Sequence, residues 1–100
     1  MSSERDALAE LDELERVFAA LAHASRRQIL LVLKARGGRV RAGDIARRFA
    51  CRWPTTTRHL RVLEGAGLVR VEQTGRERWY VLDARRLARV AGGWLRGFTR

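Results

Sequence analysis

The chain has 100 residues, 46% of them apolar, so it is long enough for one hydrophobic core and too short to divide into two. Its formal net charge is +10, carried almost wholly by arginine, with Lys34 the single lysine. No apolar run approaches the ~20 residues that would span a bilayer, and the basic excess fits a polyanionic partner.

The charge is unevenly spread. Residues 1–20 carry six acids (Glu4, Asp6, Glu10, Asp12, Glu13, Glu15) against Arg5 and Arg16, while the remaining eighty carry nineteen bases and five acids. Such an excess on a globular domain is the electrostatic footprint of nucleic-acid binding, although a merely solubilising surface has the same sum. The single cysteine, Cys51, cannot form an intrachain disulfide and suits a reducing, cytoplasmic compartment. The acidic start resembles neither a signal nor a transit peptide.

From Asp6 onward, Leu8, Leu11, Leu14, Val17, Phe18 and Leu21 recur every three or four residues, which predicts an amphipathic helix with an acidic outer face, ending near Ala22-His23. Ser25 and Gln28 have capping-box spacing and place a second helix start at Ser25, with Gly37-Gly38 ending that helix. Arg39-Val40-Arg41 reads as a short edge strand. A third helix is expected from Asp44 to Phe49, with Ile45 and Phe49 inward.

Pro54 suits the first turn of a fourth helix over 54–66, because its missing N–H has no partner there in any case. Thr56, Leu60 and Leu63 mark the buried side of that helix. Leu68–Gln73 and Arg78–Leu82 are alternating runs joined around Thr74-Gly75, a hairpin over 68–82. Asp83 caps a last helix carrying Leu87, Val90, Ala91, Trp94, Leu95 and Phe98. The order predicts a mainly α domain with a small β-hairpin, a winged helix-turn-helix filling residues 1–100.

With Leu60 inward, Arg58 lies almost opposite it, Thr55 and Arg61 lie on the outer half, and Thr57 and His59 flank the buried stripe. Hydroxyls, an imidazole and guanidiniums are the groups that read base edges and phosphates in a major groove. Arg47, Arg48 and Arg52 cluster before this helix, and Arg76 and Arg78 flank the hairpin tip. The candidate DNA-binding set is therefore Arg52, Thr55, Thr57, Arg58, His59, Arg61, Arg76 and Arg78.

The stretch from Val17 to Leu82, about two-thirds of the chain, resembles the ArsR-type (arsenic-repressor) winged-helix regulators, the matching segments being FAALAHASRRQIL, DIARRF, PTTTRHLRVLEGAGLV and GRERWYVLD. The resemblance implies a homodimer that binds double-stranded DNA at a near-palindromic operator, represses, and lets go on a signal. It puts DNA reading on the helix of Thr55, Thr57, Arg58, His59 and Arg61, and the wing contact on Arg76 and Arg78. Two departures stand out. Arg52 replaces a serine common in the family, and the paired cysteines or last-helix histidines of metal-sensing members are missing.

No metal site and no cofactor are expected, since His23, His59 and Cys51 are too few and too scattered for a four-ligand site. Cys51 reads either as a small buried hydrophobe or as an oxidisable thiol. Leu87, Val90, Ala91, Trp94 and Phe98 form a stripe expected to meet Leu8, Leu11, Leu14 and Phe18 of a second subunit rather than of its own chain. Trp53 and Trp79 are expected to pack at the start of the fourth helix and on the wing. An enzyme is not expected, for want of a nucleophile–base set, a phosphate loop or an apolar carboxylate pair. The alternatives to a specific regulator are a winged-helix protein-interaction module and a sequence-indifferent architectural DNA-binding protein.

Overall fold

The computed structural model describes residues 3–48 and 53–99. Five helices and three strands follow in the order α1 (Glu4–Leu21), α2 (Ala24–Ala35), β1 (Arg39–Arg41), α3 (Ala42–Arg48), α4 (Trp53–Gly65), β2 (Val69–Thr74), β3 (Glu77–Leu82) and α5 (Ala84–Arg96). This is the winged helix-turn-helix order that the periodicities predict.

Ser3 opens α1, its hydroxyl accepting the Asp6 N–H at 3.3 Å, while Glu4 and Asp6 place negative charge at the positive end of the helix dipole. The cap of α2 is His23 rather than Ser25: the His23 Nδ1 accepts the Ser25 N–H at 3.3 Å, and Ser25 is already inside the helix. Gly37 and Gly38 then turn the chain with φ of +86° and +91°, a conformation costly for any residue with a Cβ. Helix α3 begins at Ala42, two residues before Asp44, with Ile45 fully buried. Phe49, Cys51 and Arg52 lie outside the described residues.

The sheet is antiparallel in the order β1-β3-β2, with β1 at an edge. Tyr80 faces Val40 on one side and Val71 on the other, and this layer turns inward. The neighbouring row, Arg41, Trp79 and Glu72, turns outward. There the Arg39 and Arg41 guanidiniums lie 3.8 and 5.1 Å from the Trp79 ring, so this tryptophan packs between cations on the sheet's outer face.

Every element supplies one core. Val17 and Ala20 (α1), Leu33 (α2), Ile45 (α3), Leu60 and Leu63 (α4) and Tyr80 (β3) are all at most 2% exposed. The last helix departs from expectation in part. Its N-cap is Asp83, accepting the Arg86 N–H at 3.0 Å, and it runs unbroken through Gly92-Gly93. Val90 and Ala91, however, join the core of their own chain, Leu87 packs against it, and Phe18 meets Trp94 edge-to-face at 5.3 Å within one protomer. Helix α5 thus lies on its own α1, drawn there by Glu13, whose carboxylate takes Arg89 (3.0 Å) and Arg86 (2.7 Å). The stripe is wider than this packing needs. Leu8, Leu11, Trp94, Leu95 and Phe98 remain outside, between 46% and 75% exposed.

Candidate nucleic-acid interface

Helix α4 presents the core with Thr56, His59, Leu60 and Leu63, and the exterior with Pro54, Thr55, Arg58, Arg61 and Val62. Arg58 is exposed opposite a Leu60 that is 1% exposed, and Thr57 is half-buried at the edge. Arg47 and Arg48 are exposed at the end of α3, Arg47 paired with Asp44.

The wing tip is a two-residue turn between the paired Thr74 and Glu77. Gly75 takes φ +60° while Arg76 does not enter the left-handed region, the pattern of a turn with glycine first. The Gln73 amide donates to the Gly75 carbonyl at 3.1 Å and steadies the loop. Arg76 and Arg78 are both exposed. Arg78 lies on the Tyr80 side of the ribbon, its guanidinium 5.7 Å from that ring.

Elsewhere about half of the described arginines pair with acids, among them Arg39 and Arg70 with Glu72, Arg41 with Glu77 and Arg89 with Glu13. Among the described residues, Arg58, Arg61, Arg76 and Arg78 pair with no acid. Positive charge on α4 and the wing is therefore left uncompensated, the condition under which binding a phosphate chain releases counterions.

His59 is not on that outer surface. It is 7% exposed, its ring 4.5 Å from that of His23 and its Nδ1 3.3 Å from an Arg26 Nη. Arg26 also donates to the carbonyls of Ala20 (2.8 Å) and Ala19 (3.0 Å), capping the end of α1. Positions 56, 59, 60 and 63 form one helical stripe, which is the signal that puts His59 inside. Burial holds its pKa below the usual imidazole range, helped by the charges of His23, Arg26 and Arg58. A guanidinium donating to one of two imidazoles makes a poor cation site. No group of three or more His, Cys, Asp or Glu with metal-site geometry occurs among the described residues.

Composition and spacing also leave Arg26 and Arg86 unmarked, because both act through backbone carbonyls distant in sequence. The Arg86 Nε donates to the Ala66 carbonyl, just past the end of α4, at 3.1 Å.

A short helix, an arginine-faced second helix close behind it in sequence and an arginine-tipped hairpin define a winged helix-turn-helix DNA-binding protein. A family described as helix-turn-helix domain matches residues 21–72. The transcriptional repressor SdpR of Bacillus subtilis is 36% identical over 70 residues, covering 70% of this chain and 76% of that protein. Two solved structures are similar throughout. An ArsR-like transcriptional regulator from a Rhodococcus species is 32% identical with a TM-score of 0.74, over 86% of this chain and 79% of that one. A Mycobacterium bovis protein, described as a homodimeric winged helix-turn-helix DNA-binding domain, is 31% identical with a TM-score of 0.74, over 97% and 88%.

The chain belongs to the ArsR-type family of winged helix-turn-helix transcription regulators. It is a DNA-binding protein and not an enzyme. No described helix is long and apolar enough to cross a membrane.

Proposed function

We propose that the chain is a homodimeric repressor that reads a near-palindromic operator with α4 and grips the flanking backbone with its wing. The observation that carries this reading is the set of exposed, unpaired arginines on α4 and the hairpin tip. Arg58, Arg61 and Thr55, with Thr57 at the margin, face the major groove. Arg76 and Arg78 meet phosphates, and Arg52, which lies outside the described residues and replaces a serine common in the family, adds a further cation in the sequence before the helix. His59 serves from inside, fixing α4 against α1 and α2. Repression is the role named for the Bacillus subtilis relative.

Dimerisation is supported by the uncovered apolar residues of α1 and α5 and by the homodimeric description of the mycobacterial relative. In such a dimer Leu8, Leu11, Trp94, Leu95 and Phe98 meet the partner, while Leu14, Phe18, Leu87, Val90 and Ala91 support them from beneath. Two copies place two reading helices in successive major grooves about 10 base pairs apart. Footprinting on the DNA upstream of the protein's own gene tests the proposal. A protected site with dyad symmetry, bound at least about 10³-fold more tightly than random duplex, is the expected result. Equal affinity for every duplex would reduce the protein to an architectural binder.

A further inference from the structure

A groove of about 540 Å³ lies between α2 and the start of α5, with the end of β3 in its lining. Leu21, Leu30, Leu31, Leu82, Leu87 and Ala88 supply its apolar lining. No acid lines it, and its two charged residues, Arg27 and Lys34, are both cations. They stand seven positions apart on α2, hence on one side and about 10 Å apart along the axis. Arg27 is held in place by donating one Nη to the Leu21 carbonyl at 2.7 Å, which leaves its other N–H groups available. Leu31 is 62% exposed on the wall, an apolar side chain with nothing over it.

We propose that this groove binds a linear amphipathic carboxylate of the fatty-acid class, its chain along the leucines and its head on Arg27 or Lys34. Size and charge support a small anion. The volume falls within the roughly 300–1,000 Å³ of small-molecule sites. Nine residues line the groove, against about 20–30 a side for a standard protein interface. An apolar trough with cations and no acid is complementary to a single negative head on a hydrocarbon chain. Its walls matter for control: α2 packs on α4 in the core, and the first turns of α5 carry Arg86, which bonds to Ala66 at the end of α4. Occupancy that spreads α2 from α5 would weaken DNA binding; this regulatory half rests on the DNA-binding reading above.

The test is calorimetric titration of the whole protein, without DNA, with dodecanoate below its micellar concentration. Dodecanol, dodecylamine and octanoate serve as controls. Saturable dodecanoate binding at least tenfold tighter than dodecanol is expected. Octanoate should be weaker, since each methylene removed from the groove costs up to fourfold in affinity, the equivalent of ~0.8 kcal/mol. Lys34→Glu and Leu31→Glu, both on exposed positions outside the core, should each reduce binding about tenfold with the melting temperature retained. Equal binding of the three head groups, or no saturable binding with a Kd below about 1 mM, overturns the site. So does conversion of a dimer to a monomer by Leu31→Glu, which would assign the groove to the subunit interface. Saturating dodecanoate should weaken operator binding at least fivefold, and by linkage operator DNA should weaken dodecanoate equally. Ligand binding without that effect overturns the regulatory half. Selective ligand binding by a protein that binds no DNA supports the site and removes the functional reading instead.

Discussion

Arg86 and Ala66 are joined by a 3.1 Å hydrogen bond from the guanidinium Nε to the carbonyl oxygen, and the same guanidinium reaches Glu13 of α1 at 2.7 Å. Ala66 follows the last residue of α4, where helical carbonyls lack intrahelical partners. One side chain therefore ties the α1–α5 layer to the far end of the reading helix. Arg86→Met should cost about 1–2 kcal/mol of stability, allowing for the partial exposure of the ion pair. It should also weaken operator binding without changing the salt slope, since Arg86 touches no phosphate. Denaturant melts and DNA titrations check both effects; unchanged operator affinity would show that α4 needs no such anchor.

Gly67 sits beneath the same guanidinium. Its φ is +75°, and a Cβ placed there would overlap the Arg86 side chain. Gly67→Ala thus meets two penalties, the left-handed backbone and the displacement of Arg86. A loss of about 1–2 kcal/mol is expected from the backbone alone, seen as a fall of about 4–16 °C in Tm. Gly65→Ala, with open space around it and no positive φ, should be tolerated.

The exposed apolar patch predicts self-association. The Trp94 and Phe98 rings meet at 4.7 Å, tilted by 55°, and stand 46% and 75% exposed, with Leu8 and Leu11 of α1 and Leu95 of α5 also uncovered. Light scattering at micromolar concentration should give a dimer, and Phe98→Arg should give a folded monomer. Phe98 is the better position to change, because Trp94 also supports Phe18 within the protomer. A wild-type monomer would refute the interface.

Periodicity carried most of the fold, since amphipathic stripes, the Gly37-Gly38 stop, Pro54 and Asp83 each act locally. Where it misled, a different interaction prevailed. Ser25 has the spacing of a cap, yet the His23 ring takes that role two residues earlier. His59 occupies the buried stripe because Arg26, thirty-three residues away in sequence, supplies a partner for its Nδ1. The last helix has an inner and an outer apolar edge; its own chain covers the edge of Leu87, Val90 and Ala91, beside which Glu13 takes Arg86 and Arg89, a pairing that spacing alone does not reveal. On the DNA side, the exposure of Arg58, Arg76 and Arg78 follows from wheel and turn position, whereas their lack of acidic partners does not.

His59 should make stability depend on pH. Burial first, and then the charges of His23, Arg26 and Arg58, hold its native pKa below the ordinary 6.5. The unfolded chain therefore takes up this proton more readily than the native state does. The contribution is complete above pH 6.5 and is lost as the pH falls below it, since protonation of Nδ1 also abolishes its acceptance from Arg26. The urea midpoint should drop between about pH 7 and pH 5, and His59→Gln should flatten that drop. A wild-type midpoint that is level across this window would show that His59 is not held neutral.

Base reading by α4 and backbone grip by the wing are tested most directly by a salt titration of operator and random duplex with wild type, Arg58→Ala and Arg76→Ala. Arg58→Ala should cost about 1–3 kcal/mol on the operator and far less on random DNA, the worth of one bidentate arginine–base pairing. Arg76→Ala should weaken both duplexes alike and lower the log–log salt slope by about 0.9 for each phosphate that it no longer neutralises. Equal weakening of both duplexes by Arg58→Ala would contradict this division of roles, making Arg58 a phosphate clamp and moving base recognition to Thr55, Thr57 or Arg61.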